Sequence, residues 1–245
     1  MPLSKNDLKK LSSLDRKSKR KEHGLFVVEG RKNCEELIKS DIVIEELYIT
    51  NDVVETFPNG NIISKKEASR LSQLKTHSSV IAIARIPKYK IDGANNQLII
   101  YLDDIKDPGN LGTIIRTLDW FGHTQLFCSE NTVDCFNPKV VMASMGSVFR
   151  IKVHYLAFEK LCKIYPSHLS YATSLNGENI NDVKIPRSAI IVMGNESKGI
   201  NENIIAKCSH KISIYGNGKA ESLNVSTACG ILINEYQRDS LSFKS

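Results

Sequence analysis

Apolar residues along this chain recur with two spacings, and the alternation between them predicts strands and helices in turn. Leu8, Leu11 and Leu14 fall on one side of a helix that Ser4 can cap, with Lys and Arg on the other side. Residues 25–28 (Leu-Phe-Val-Val) predict a short strand, with a helix following near residues 31–39 and a second strand at residues 44–49. Ser64-Lys-Lys-Glu67 has the pattern of a capping box and opens a helix through Leu74. Residues 80–84 predict a third strand. From Pro87 to Gln97 the chain carries Pro, Gly and polar residues with little periodicity, which predicts a linker.

Beyond that linker, residues 98–102 form a continuous apolar run, as expected of a strand buried on both faces. Asp107-Pro-Gly-Asn110 ends the run and starts a helix, on which Leu111, Ile114, Ile115, Leu118 and Phe121 share a face. Residues 125–128, 170–173, 189–193 and 211–215 predict further strands, and residues 137–149 a helix. A last helix over residues 224–236 carries Val225, Ala228, Cys229 and Leu232 on one side. Strands alternating with helices imply a mostly parallel sheet covered by helices. The expected organisation is a small α/β domain over residues 1–90 and a larger α/β domain over residues 91–245.

Composition narrows the class. Hydrophobic residues make up 41% and charged residues 24%, the balance of a water-soluble globular chain. No apolar stretch approaches the roughly 20 residues of a membrane helix. The opening Met-Pro-Leu-Ser-Lys has no apolar signal core, and the six cysteines are scattered without a C-x-x-C pair. A reduced, cytoplasmic setting is expected, with no membrane and no metal partner. The net charge of +6 is concentrated at the start. Residues 1–23 hold eight Lys and Arg (Lys5, Lys9, Lys10, Arg16, Lys17, Lys19, Arg20, Lys21) against Asp7, Asp15 and Glu22. Cations at this density suit phosphate contacts, so Lys17, Lys19, Arg20 and Lys21 are candidate nucleic-acid-binding residues. A solvated helix face would have the same composition.

Three separated segments carry candidate chemistry: residues 110–116 (Asn-Leu-Gly-Thr-Ile-Ile-Arg), 193–199 (Met-Gly-Asn-Glu-Ser-Lys-Gly) and 221–226 (Glu-Ser-Leu-Asn-Val-Ser). Each puts Gly or small polar residues beside an apolar run, and strand ends of open α/β sheets are where ligands bind. Asn110 stands where a helix should begin and reads locally as its N-cap. Arg116 lies off the apolar stripe of that helix, where a guanidinium can hold a phosphate through two hydrogen bonds. Gly194 and Gly199 bracket Glu196 and would permit close backbone approach to a ligand. Glu196 can accept from a hydroxyl or orient Arg116. Ser222, Asn224 and Ser226 offer small polar groups at a helix start, where caps are also common. There is no G-x-G-x-x-G after the first strand of either domain, no P-loop and no G-x-S-x-G elbow. Asp103, Asp104 and Asp107 sit at a strand end without other metal ligands, and the histidines lack metal spacing.

In this order, Asp107-Pro-Gly-Asn-Leu-Gly…Arg116, Met193-Gly-Asn-Glu-Ser-Lys-Gly-Ile200 and Ile212-Ser-Ile…Ser222-Leu-Asn-Val-Ser226 resemble the three motifs of the SpoU/TrmH family. Its members are S-adenosylmethionine-dependent RNA ribose 2′-O-methyltransferases of the SPOUT superfamily. Asn137-Pro-Lys and Ser144-Met-Gly-Ser147 resemble the family's segment between the first two motifs. Arg20…Phe26-Val-Val-Glu-Gly30 resembles the ribosomal-protein-like RNA-binding domain of many members. The resemblance implies a C-terminal domain with a deep trefoil knot, an exception to the usual absence of threaded loops. It also implies a homodimer and S-adenosyl-L-methionine held near Thr173, Gly194, Ile214 and Leu223. Asn110, Arg116, Glu196, Ser222 and Asn224 match the catalytic positions. The implied activity is 2′-O-methylation of structured RNA, rRNA first because of the N-terminal extension. A tRNA enzyme and a non-catalytic RNA-binding or assembly protein are the alternatives, and the intact Arg116, Glu196, Ser222 and Asn224 argue against the last. Two positions depart from the pattern: Tyr215-Gly216 replaces a common Pro-Met, and Met142 replaces a common Arg.

Overall fold

The computed structural model describes residues 3–73, 78–93 and 97–241. In chain order the elements are α1 (Lys5–Ser12), α2 (Lys17–His23), β1 (Leu25–Glu29), α3 (Arg31–Ile38), β2 (Ile44–Ile49), β3 (Asn61–Ile62), α4 (Lys65–Leu71) and β4 (Val80–Arg85). Then come β5 (Ile99–Leu102), α5 (Pro108–Trp120), β6 (Gln125–Cys128), α6 (Pro138–Ser144), β7 (Lys152–Tyr155), α7 (Phe158–Ile164) and β8 (Leu169–Asn179). The chain ends with β9 (Ala189–Met193), α8 (Glu202–Ile205), β10 (His210–Ser213) and α9 (Val225–Leu241).

Two compact units result. The first holds residues up to Lys88 together with Asp134–Arg150, and the second holds Tyr89–Val133 with Ile151 onward. The segment Asp134–Arg150 therefore packs with the first unit, although residues 91–245 read as one continuous domain in the sequence.

In the first unit a four-stranded sheet runs in the order β1-β4-β2-β3. β4 pairs antiparallel with β1 and β2, and β3 adds in parallel. Leu11, Leu14, Val27, Tyr48, Ile63, Ala68, Leu71, Ile81 and Ile83 form its buried cluster. The capping box is present: Ser64 Oγ accepts from the Glu67 N–H, and the Glu67 carboxylate accepts from the Ser64 N–H. The helix it opens ends at Leu71, and Leu74 lies outside the described residues. The single N-terminal helix expected from Leu8, Leu11 and Leu14 is broken into α1, a one-turn 3-10 segment at Ser13–Asp15, and α2. Ser12 and Ser13 hydroxyls donate back to the Leu8 and Lys10 carbonyls, which competes with helix propagation.

Arg20 is a correction to the expected RNA-binding face. It is 1% exposed. Its Nε and Nη2 donate to Asp134 Oδ2 at 2.8 and 2.5 Å, and its Nη1 donates to the Leu14 and Asp15 carbonyls. Five donors in a planar fork suit this enclosed set of oxygens, whereas a charge count along the sequence gives no sign of burial. Lys19 is engaged too, with Glu22 at 2.7 Å, while Lys17 and Lys21 are exposed. The segment paired with Arg20 continues inward: the Phe26 ring lies 4.4 Å from Phe136 and 6.4 Å from Phe149. The helix expected over residues 137–149 stops at Ser144, because Met145 and Gly146 are both left-handed, at φ 51° and 94°. A Cβ on Gly146 would sit 2.7 Å from Glu36 Cβ, so glycine also makes room there.

The second unit is built on six parallel strands in the order β10-β8-β9-β5-β6-β7. β5 and β9 are buried along their whole length, matching their continuous apolar runs. Ile99, Tyr101, Phe127, Leu156, Phe158, Leu161, Tyr165, Ala172, Ile190, Val192 and Ile200 form a core cluster. β7, α7 and α8 were not expected from the sequence; each is short. β3, of two residues, is below any periodicity.

Candidate active site

β5 opens the second unit, with β6 and β7 laid to one side of it and β9 and β8 to the other. The strand order therefore reverses at the β5–β9 boundary, the place where open α/β sheets leave a crevice at the carboxyl ends of their strands. All three sequence motifs end there. After β5, Asp107 rather than Asn110 caps α5: Asp107 Oδ1 accepts from the Asn110 N–H at 2.8 Å. Pro108 then fits the first turn, where a missing N–H costs nothing. Asn110 is left with its side chain free for other contacts.

Those contacts join the motifs. Asn110 Nδ2 donates to Glu196 Oε1 at 2.7 Å, across the β5–β9 boundary. Asn224 Nδ2 donates to Asn110 Oδ1 at 2.9 Å. Asn224 Oδ1 in turn accepts from the Ser226 N–H at 2.9 Å, the Ser226 hydroxyl at 2.6 Å and the Thr227 N–H at 3.4 Å, at the start of α9. Three residues separated by up to 114 positions in sequence thus form one hydrogen-bonded line.

Arg116 lies on the exposed side of α5, as its place off the apolar stripe predicts. Among the described residues it has no hydrogen-bonding or ionic partner; Glu196 is held by Asn110 instead of by the guanidinium. Ser222 is exposed, and no side-chain hydrogen bond joins it to the line among the described residues. Thr173, Gly194 and Ile214 stand half-buried at or just beyond the carboxyl ends of the pairing segments of β8, β9 and β10, which are neighbours in the sheet. Leu223 is half exposed on the approach to α9.

The loop after β9 is held by its own atoms. Asn195 and Gly199 exchange backbone hydrogen bonds at 3.0 and 2.9 Å. Asn195 Oδ1 accepts from the Ser197 and Lys198 N–H groups, and its Nδ2 donates to the Asp104 carbonyl. A Cβ on Gly194 would lie 2.3 Å from Gly199 C and Ile200 N. The close approach that requires glycine at 194 is therefore to the loop's own backbone. Gly177 is equally confined, its Cβ position 2.4 Å from Ile212 C. There β10 shifts register on β8, from Lys211 opposite Ala172 to Ile212 opposite Glu178, and residues 173–177 are left out of the ladder. Tyr215, one of the two departures from the expected pattern, donates its hydroxyl to the Gly177 carbonyl at 3.3 Å.

The aspartates near this site have local duties. Asp103 is buried and accepts from the Asn201 N–H, Asp104 pairs with Lys106 at 2.6 Å in a left-handed conformation, and Asp107 caps α5. Met142, the other departure, lies in the first unit, where Asn33 Nδ2 donates to its sulfur at 3.6 Å. Sequence reasoning named Ser226 but missed Asn195 as an organiser. The signal for Asn195 was present, since an Asn followed by three polar residues before Gly suits an Asx-type turn.

Sheet, strand-order reversal and converging polar side chains define an α/β enzyme whose site is assembled from loops far apart in sequence. The profile of the SpoU rRNA methylase family matches residues 97–234, and the chain belongs to that family. Residues 5–84 match the MRM3-like substrate binding domain. The chain is 29% identical to the 23S rRNA (guanosine(2553)-2′-O)-methyltransferase RlmP of Bacillus subtilis, over 93% of each chain. It is 31% identical to the tRNA (guanosine(18)-2′-O)-methyltransferase of Aquifex aeolicus, over 60% of this chain and 72% of that one. The crystal structure of the AdoMet-bound rRNA methyltransferase from Sinorhizobium meliloti superposes with a TM-score of 0.85, at 26% identity over 97% of both chains.

Proposed function

We propose that this protein transfers a methyl group from S-adenosylmethionine to a ribose 2′-hydroxyl of ribosomal RNA. The observation that carries the proposal is the line Glu196–Asn110–Asn224, which gathers the three family motifs at the strand-order reversal. S-adenosylmethionine supplies a methyl group already activated by a sulfonium charge. What the chain must add is alignment and a destination for the hydroxyl proton.

The residues present suit that ligand. Leu175, in the stretch of β8 left out of the ladder, and Tyr215 and Leu223, in the segment after β10, are large side chains left exposed, where a nucleoside and a methionine chain would cover them. Backbone groups of these loops would hold the ligand, and Ser222 adds a hydroxyl beside Leu223. Arg116, exposed and without a partner among the described residues, would grip an RNA phosphate with its fork. A guanidinium is too weak an acid to act as a base near neutral pH, so Arg116 serves as a phosphate and alkoxide binder.

In this reading residues 1–90 supply RNA affinity and residues 91–245 the chemistry. The match to a substrate binding domain and the exposed Lys9, Lys10, Lys17 and Lys21 support the first part. Ribosomal RNA is favoured over tRNA because the rRNA relative matches over 93% of this chain and the tRNA relative over 60%. A trefoil knot in the second domain, a homodimer and a cytoplasmic location complete the reading. No helix among the described residues is long and apolar enough to cross a membrane.

Calorimetry with the full chain tests the cofactor assignment. S-adenosylmethionine should bind with a stoichiometry near one per chain, and Arg116→Ala should bind it equally well while losing methyl transfer. A folded chain with no affinity for S-adenosylmethionine would refute the assignment.

A further inference from the structure

We infer that Glu196 Oε2 accepts the proton of the ribose 2′-hydroxyl, and that Ser226 positions it through Asn224 and Asn110. This rests on the methyl transfer proposed above and concerns the one step that Arg116 cannot perform. The inference begins with the direction of the hydrogen bonds. An Asn side chain has one accepting and one donating end, and the surroundings decide which faces where. At α9 the matter is settled by three donors: the Ser226 N–H, the Ser226 hydroxyl and the Thr227 N–H all point at Asn224, so its oxygen faces them. Asn224 must then offer its NH2 to Asn110. Asn110 must accept with its oxygen and offer its own NH2 to Glu196. The line has one consistent orientation, running from the donor-rich start of α9 to a carboxylate.

That orientation distinguishes the two carboxylate oxygens. Oε1 receives an N–H from Asn110 at 2.7 Å, and a proton placed on it would oppose that donor. Oε2 has no partner among the described residues and is free to take one. The donor holding Glu196 is the neutral amide of Asn110.

Other groups at the strand ends are unsuited to the step. Asn110 and Asn224 are amides, and the hydroxyls of Ser222 and Ser226 are as weakly basic as the substrate's own. Asp103 and Asp107 accept backbone N–H groups, and Asp104 pairs with Lys106. The charged side chains on the surrounding segments include Asp107, Arg116 and Asp119 on α5 and its cap, Lys198 in the loop after β9, Lys219 and Glu221 before α9, and the Glu235–Arg238 pair toward the far end of α9. Of the carboxylates among these, Glu221 makes no contact with the hydrogen-bonded line among the described residues. In the step, the pair of the breaking O–H bond goes to the new O–CH3 bond, the proton goes to Oε2, and the donor leaves as a neutral thioether. Solvent then takes the proton from the exposed carboxyl.

The test uses the full chain, tritiated S-adenosylmethionine and total RNA from cells lacking the gene, under single-turnover conditions across a pH series that begins below the ordinary carboxylate range and ends at about pH 9. The parent rate should rise with pH through one ionisation and then level. Glu196→Gln should lose at least 100-fold at the plateau and lose the pH limb, with S-adenosylmethionine affinity within twofold by calorimetry. Ser226→Ala should lower the rate constant about fivefold with the limb kept and the KM for S-adenosylmethionine unchanged, consistent with loss of one of several hydrogen bonds. Ser226→Thr should recover to within twofold, and Glu221→Gln should match the parent. A Glu196→Gln enzyme within tenfold of the parent, or one that retains the pH limb, would overturn the role of Glu196. A Ser226→Ala enzyme equal to the parent would overturn that of Ser226. A parent chain that binds no S-adenosylmethionine would refute the methyl-transfer reading itself and this inference with it.

Discussion

Arg20 and Arg116 show how two arginines of the same charge come to opposite uses. Arg116 projects from a long helix whose apolar stripe points the other way, so its guanidinium remains available. Arg20 is folded inward onto one carboxylate and two carbonyls. Removing it would leave Asp134 without its counter-charge, in a side chain only 15% exposed. Arg20→Ala should therefore destabilise the fold by roughly 3–5 kcal/mol. Chemical denaturation monitored by circular dichroism checks this, and a loss below about 1 kcal/mol would mean that the pair is solvated. The availability of Arg116 was legible in the sequence, because helical spacing fixes which side a residue takes. The burial of Arg20 was not, because its partner lies 114 residues away. Asn110 lies between these cases: its importance was legible, its reading as an N-cap was wrong, and Asp107 takes that role.

At the level of elements, β1 carries a buried carboxylate into the core of the first unit. Glu29 is 5% exposed, and its oxygens accept from the Ser72 hydroxyl and the Gln73 N–H, both at 2.6 Å. Burial raises its pKa above the ordinary 4.5, and the two hydrogen bonds only partly oppose that. The folded state then binds the Glu29 proton more tightly than the unfolded state. By linkage, the Glu29 contribution to stability is fully present below about pH 4.5 and is lost as pH rises through the raised folded value. Glu29→Gln should remove this loss, so the stability of the variant relative to the parent should increase between pH 4 and neutrality. Urea unfolding at a series of pH values measures it; a difference independent of pH would show that Glu29 is solvated. The periodic helix α5 and the continuous apolar runs of β5 and β9 were legible in the sequence. α7, α8, β7 and the break between α1 and α2 were not, since short elements take their form from tertiary packing and from serine side chains competing for the backbone.

Across the whole molecule, the sequence does not divide where the compact units divide. Asp134–Arg150 lies within the stretch matched by the methylase family yet packs on α2, β1 and α3 of the first unit through Asp134, Phe136, Phe149 and Arg150. Truncation at residue 90 would expose those apolar side chains, so the full chain is the right object for binding experiments. The exposed lysines of α1 and α2 should give RNA binding a steep salt dependence, about 0.7–0.9 log units per log unit of salt for each phosphate contact. Replacing Lys9, Lys10, Lys17 and Lys21 with Gln should flatten that slope and weaken RNA binding, with S-adenosylmethionine affinity unchanged. Filter binding across a salt series decides this, and an unaltered slope would move RNA recognition away from the N-terminal helices. The most direct test of methyl transfer to ribosomal RNA is a map of ribose methylation in total RNA from cells with and without the gene. One 2′-O-methyl nucleotide in ribosomal RNA should vanish on deletion, return with the parent gene, and stay absent with Arg116→Ala. Identical maps in the presence and absence of the gene would contradict the proposed function.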